Sequence, residues 1–201
     1  MAPMENLRAD FARVRATLEG SPAYRSLHAL CAPGFHAVLV YRFGHWALAQ
    51  RPLVRVPLGM LYQLLNLLVR ICWGIEIPRA ARIGSGLYIA HLGGICVSRR
   101  AVIGRNCALS QQVTIGATGE GARFGAPVIG DDVYIAPGAR LYGRIRIGNN
   151  VKIGPNTVVG EDIPDNAVVA LDPGYRIVSY RGNRRAPSAI PADRRRSAST
   201  G

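Results

Sequence analysis

A count of six runs through the middle of the chain. Aliphatic residues stand at Ile77, Ile83, Ile89 and Ile95, resume after a two-residue slip at Ile103, Leu109 and Ile115, and resume after a longer gap from Ile129 through Ile135, Leu141, Ile147 and Ile153 to Val159. A helix repeats every 3.6 residues and a strand every two, so neither explains this period. A coil with three flat sides does. Each side takes one hexad, a short strand and a turn. The aliphatic residue points inward and stacks on its equivalent one coil away, at the strand spacing of about 4.8 Å. Glycine follows directly at Gly84, Gly104, Gly116, Gly130, Gly148, Gly154 and Gly160, where it is expected to serve as a turn residue with a free backbone. The fifth place of a hexad is small or apolar, as at Leu87, Cys107, Val113 and Ala139. This is the hexapeptide parallel β-helix pattern, a mainly β fold.

Ahead of the count the chain reads as helical. Residues 4–19, 23–31, 35–50 and 57–73 form four candidates, punctuated by Ser21-Pro22, Pro33-Gly34 and Pro57. Three regions follow: an N-terminal α-helical region over 1–73, a β-helix over 74–175, and a basic tail over 176–201. The tail holds seven arginines against one acid and is expected to be solvated and disordered. The net charge of +13 therefore concentrates outside the β-helix. Aromatic residues there do not interleave with the arginines in a pattern that suggests base stacking, so nucleic acid is not an expected partner. The apolar run Leu58–Val69 is short for a membrane span. It reads as a buried or subunit-packing helix, with peripheral membrane contact as the alternative. Met1 to Gly20 has no apolar run of the signal-peptide kind. The four cysteines show no zinc spacing, so reduced thiols, a cytoplasmic setting and no metal are expected.

Chemistry enters at "GIEIPRAARIGSGLYIAH", from Gly74 to His91. One acid, Glu76, precedes one histidine by fifteen residues, slightly less than a full coil. That spacing brings the two near each other around a corner of adjacent coils. An imidazole can take the proton of an attacking hydroxyl, and a carboxylate on the other ring nitrogen fixes its tautomer. Backbone N–H groups near Gly93-Gly94 could face a tetrahedral oxyanion. His28, His36 and His45 read as packing or hydrogen-bonding residues, and Cys96 and Cys107 as small core residues.

With "PGFHAVLVYRFGHW", "GIEIPRAARIGSGLYIAHLGGICV" and "QQVTIGATG" followed by "APVIGDDVYIAPGARLYGRIRIGNNVKIGPNTVVGEDIPDNAVV", the chain resembles the hexapeptide acyltransferases of the serine acetyltransferase type. The resemblance runs from about Glu5 to about Val178. It implies a left-handed coil preceded by helices and acetyl transfer from acetyl-CoA to a hydroxyl, with His91 as general base and Glu76 as its support. It also implies a homotrimer, open to pairing into a dimer of trimers, with CoA in a groove between subunits. A family loop closes over the site where Gly116–Pro127 interrupts the count here. That brings Gly116, Ala117 and Gly119 to the cofactor, together with Ala136, and makes Arg140 and Lys152 the basic candidates for its phosphates. Departures bear on the acceptor. The family's Arg-His pair before the loop-ending proline reads Gly125-Ala126, its His-Pro reads Pro78-Arg79, its acid before the histidine reads Ala90, and the acid of its Asp-Pro-Ala reads Ser21. A site without charged clamps suits a neutral polyhydroxyl, so the chain looks closer to colanic-acid-type exopolysaccharide O-acetyltransferases. A sugar hydroxyl is then the expected acceptor. Serine is the alternative, and a β-helix scaffold without catalysis the second alternative.

Overall fold

Proline opens every helix in the computed structural model, which describes residues 3–121 and 124–171: α1 (Pro3–Ala16), α2 (Pro22–Cys31), α3 (Pro33–Leu48) and α4 (Pro52–Trp73). The first turn suits proline because the N–H it lacks has no partner there. Ser21 does more than break a pattern. It caps α2, its hydroxyl accepting the N–H of Tyr24 at 3.3 Å. Helix α4 starts five residues earlier than the sequence predicts, because Pro52 takes the opening position and Pro57 falls inside. The carbonyl that Pro57 leaves unbonded belongs to Leu53, which is 92% exposed, so water can satisfy it. Gly74 closes α4 in the left-handed region at φ 61° and turns the chain into the first strand.

From there the chain winds as a left-handed parallel β-helix. Face A joins β1 (Ile75–Glu76), β4 (Ile95–Val97), β7 (Thr114–Gly116), β10 (Arg140–Tyr142) and β13 (Val158–Val159). Face B joins β2 (Arg82–Ile83), β5 (Val102–Ile103), β8 (Val128–Ile129) and β11 (Arg146–Ile147). Face C joins β3 (Tyr88–Ile89), β6 (Ala108–Leu109), β9 (Tyr134–Ile135), β12 (Lys152–Ile153) and β14 (Val168–Val169).

The register corrects the count in one place. Ile75 pairs with Ile95, Glu76 with Cys96, and Val97 with Ile115. The inward column of face A therefore passes through Val97, not Ile95, and the two extra residues lie before β4, in the corner His91–Gly94. Ile95 misleads the eye because it is also buried, stacked on Ile75 in the neighbouring column. The shift turns Cys96 outward, against expectation, while Cys107 is buried as expected.

The glycines after the aliphatic residues have a different purpose from the one expected. None of them has a positive φ. The left-handed corners fall two residues later, at Asn106, Asp132 and Asn150, with φ of 55°, 59° and 52°. These are residue types that tolerate the region. What the glycines permit is close stacking of coils. A Cβ on Gly84 would lie 2.7 Å from the carbonyl of Gly104, and one on Gly104 would lie 2.5 Å from the carbonyl carbon of Gly130. Beside this column runs a ladder in which the N–H of Arg105 donates to Asp131, that of Asp131 to Asn149, and that of Asn149 to Asp165, at 2.7–2.9 Å. Gly104→Ala should thus force the coils apart and destabilise the fold by about 2 kcal/mol, lowering Tm by about 5 °C. Gly160→Ala, whose Cβ would meet nothing within 4 Å, should leave Tm unchanged in the same thermal melt.

One apolar core runs from Ala37, Val38 and Tyr41 on α3 and Val69 on α4 into the column of the coil. Tyr41 seals the junction. Its hydroxyl donates to the Ala81 carbonyl at 2.9 Å and accepts the Ile83 N–H at 3.2 Å, and burial pushes its pKa up to about 12. Helices and coil belong to one compact unit ending at Leu171. The tail 176–201 lies outside the described residues. Of the two expectations for α4, a buried or a subunit-packing helix, burial within the chain is limited to Gly59, Tyr62 and Val69. The helix is long and apolar enough to cross a membrane by length and composition.

Candidate active site

His91 stands exposed in the corner between β3 and β4, the corner that carries the two extra residues. Two backbone bonds fix this corner against the end of α4. The N–H of Gly93 donates to Trp73 at 2.8 Å, and that of Ile95 to Gly74 at 3.1 Å. Glu76 follows Gly74 by two residues and is half-exposed on the outward side of β1. The imidazole and the carboxylate thus project from chain segments held together by those bonds. Among the described residues no hydrogen bond joins them. Glu76 faces Arg70, the basic residue of the last turn of α4, at 3.7 Å. Both side chains are about half exposed, so this is a loose ion pair that costs little to break.

The Gly93 N–H is engaged by Trp73, which removes it from the donors available to an oxyanion. The other histidines sit as expected. His36 Nε2 donates to the Leu30 carbonyl at 2.6 Å, and His45 Nδ1 to that of Arg79 at 2.9 Å. His28 packs on Tyr24, ring centroids 3.9 Å apart. Cys96 neighbours Glu76, but burial, and then the charge of Glu76, push its thiol pKa up. A thiol held protonated is a poor nucleophile, so proton transfer at His91 is the chemistry this corner offers.

The remaining candidates divide between places. Gly116 and Ala117 line a groove of about 620 Å³ between α4 and face A, the groove that Glu76 also lines. Gly119 lines a second hollow of about 440 Å³ with Tyr142 and Gly143. The loop between them is closed by paired bonds between Thr118 and Gly125, at 3.0 and 3.1 Å. A Cβ on Gly116 would press on the Tyr142 ring at 2.6 Å, so glycine keeps the loop root flat. Ala136 is buried, its N–H donating to Ile153 at 2.9 Å. Arg140 projects from face A, whereas Lys152 projects from face C and lies 5.8 Å from the Tyr134 ring centroid. These two cations do not converge on one groove within a protomer. Sequence reasoning missed Arg70 as the partner of Glu76. It stands six residues before the acid, across a helix end whose place only the Gly74 cap reveals.

Residues 126–161 match the family described as bacterial transferase hexapeptide (six repeats). A serine acetyltransferase of Synechococcus elongatus is 37% identical over 185 residues, covering 91% of this chain and 72% of that protein. Among solved structures, serine acetyltransferase isoform 3 of Entamoeba histolytica in complex with cysteine superposes with a TM-score of 0.71 at 26% identity, over 88% of this chain. The match spans 61% of that structure's chain. A serine acetyltransferase in complex with CoA gives a TM-score of 0.68 at 31% identity, over 85% of this chain and 68% of its own. These findings correct the leaning toward colanic-acid-type enzymes. That leaning rested on a handful of substituted positions, whereas the likeness to serine acetyltransferases extends along nearly the whole chain. They also displace the scaffold reading, because the chain is an acyltransferase. The chain belongs to the serine acetyltransferase family of hexapeptide acyltransferases.

Proposed function

We propose that the protein transfers the acetyl group of acetyl-CoA to the hydroxyl of L-serine, releasing O-acetylserine and CoA. The observation that carries this reading is the likeness to serine acetyltransferases over 91% of the chain, with His91 at an exposed corner of the coil. A ring nitrogen of His91 takes the hydroxyl proton as the oxygen attacks the thioester carbonyl. The tetrahedral intermediate collapses, the C–S bond breaks, and the imidazolium returns the proton to the departing thiolate. Glu76 supports the imidazolium once its carboxylate turns from Arg70 toward the ring. Gly116 and Ala117 leave the floor of the groove open to the pantetheine thioester. We place the active form as a homotrimer in the cytoplasm, in which a neighbouring subunit completes the walls around each His91.

Thiol release from acetyl-CoA tests the acceptor. L-serine should support turnover at least about a hundredfold faster than neutral hexoses, since a site built around one acceptor's polar groups rejects those that leave them unpaired. Turnover with hexoses and none with L-serine would restore the sugar reading.

A further inference from the structure

We propose that Arg79 and Arg99, in the groove between α4 and face A, hold the anionic group of the acceptor and so determine its specificity. This deepens the serine reading and rests on it. Three arginines, Arg70, Arg79 and Arg99, line the groove against the single acid Glu76. Arg70 is engaged by that acid. Arg99 is exposed and makes no hydrogen bond or ion pair among the described residues.

Arg79 is the more telling of the pair. Its guanidinium lies over the Tyr62 ring, 5.0 Å from the centroid, and its Nη1 is buried with no acceptor. The main chain at Arg79 is fixed by two bonds: its backbone N–H donates to the Tyr62 hydroxyl at 3.1 Å, and its backbone carbonyl accepts from His45 at 2.9 Å. Helix α4 presents Gly59 to the side chain, where a Cβ would approach Nη1 to 3.2 Å. Glycine inside a helix is destabilising, and at this position it leaves room for the guanidinium. A buried N–H without an acceptor is uncommon in folded proteins; Nη1 is shut in against Gly59, so a ligand in the groove would meet the part of Arg79 that lines it. Guanidinium groups pair with carboxylate or phosphate oxygens through parallel N–H bonds. Both a carboxylated acceptor and the phosphates of CoA offer such oxygens. The acceptor is favoured because Glu76, beside the catalytic corner, lines the same groove.

The experiment compares Arg99→Gln and Arg79→Gln with the parent enzyme, using L-serine, L-serinamide, acetyl-CoA and its 3′-dephospho form. KM for L-serine should rise about tenfold in each variant, with kcat and KM for acetyl-CoA within about twofold. L-serinamide should be a weak acceptor for all three proteins, with no further loss in the variants. Arg99 is a surface side chain, so its variant keeps the test valid if Arg79→Gln fails to fold. Equal losses with L-serine and L-serinamide, or no loss with either, would overturn the proposal. So would a rise in KM for acetyl-CoA that disappears with the dephospho form, which would assign the arginines to the CoA phosphate. An enzyme inactive on L-serine but active on sugars fails the underlying reading instead. The arginines are then judged on glucuronate against glucose, and no preference for the carboxylated sugar overturns their assignment.

Discussion

Alanine at position 91 should lower kcat for acetyl transfer by about a thousandfold while leaving the secondary structure and Tm of the protein unchanged. The size follows from removing the proposed general base, an effect that spans about 10² to 10⁴ in enzymes. The unchanged fold follows from exposure: the His91 side chain takes no part in the core, and the corner is pinned by backbone bonds from Gly93 and Ile95 that alanine preserves. KM for acetyl-CoA should move little, since the ring is assigned to proton transfer. An exposed corner also admits small molecules, so imidazole in the buffer should restore part of the lost rate. The check is steady-state thiol release with circular dichroism on the same samples. A variant that retains most of its activity would remove His91 from the mechanism. A variant that unfolds would show the ring to be structural, contrary to its position.

The coil was legible because its energetics repeat. Each hexad buries the same kind of side chain at the same place, so Ile83, Ile103, Ile129 and Ile147 announce one column without any knowledge of their neighbours. Legibility failed where two residues satisfy the same local rule. Ile95 and Val97 are both aliphatic and both buried, and only the hydrogen-bonded register decides which continues the column. The glycine rule failed for a related reason. A glycine beside a turn suggests backbone freedom, yet the backbone there is ordinary and the constraint is a neighbour one coil away. His91 and Glu76 could be offered as a candidate pair from their spacing, since the coil converts sequence distance into spatial distance, but the spacing did not foretell that Glu76 faces Arg70. Arg70, Arg79 and Arg99 could not be grouped, because their convergence depends on how α4 lies along face A. That placement is set by tertiary packing, which the sequence pattern does not encode locally.

The anchor that ties α1 and α3 to the first coil should be the most stability-sensitive polar site among the described residues, and Asp10→Ala should destabilise the protein by about 3–5 kcal/mol. Asp10, on α1, is fully buried, and Arg42, on α3, is 5% exposed. The carboxylate accepts from Arg42 Nε at 2.8 Å and Nη2 at 3.1 Å, and from the backbone N–H of Leu87 at 2.8 Å. Arg42 in turn donates Nη1 to the Ile83 carbonyl at 2.7 Å and Nη2 to that of Gly84 at 2.5 Å. One ion pair therefore ties two helices to the first coil, and it satisfies coil carbonyls and an N–H that would otherwise be buried unpaired. Alanine at position 10 leaves a guanidinium out of water with only neutral carbonyls for partners, and the Leu87 N–H with none. Tm should fall by about 10 °C. The loss should be asymmetric in a way that distinguishes charge from packing. Replacing both partners together, as in Asp10→Leu with Arg42→Met, should recover much of what Asp10→Ala loses, because the uncompensated charge is gone. A double variant as unstable as the single one would show that the hydrogen bonds to Ile83, Gly84 and Leu87, rather than the balance of charge, hold the helices to the coil.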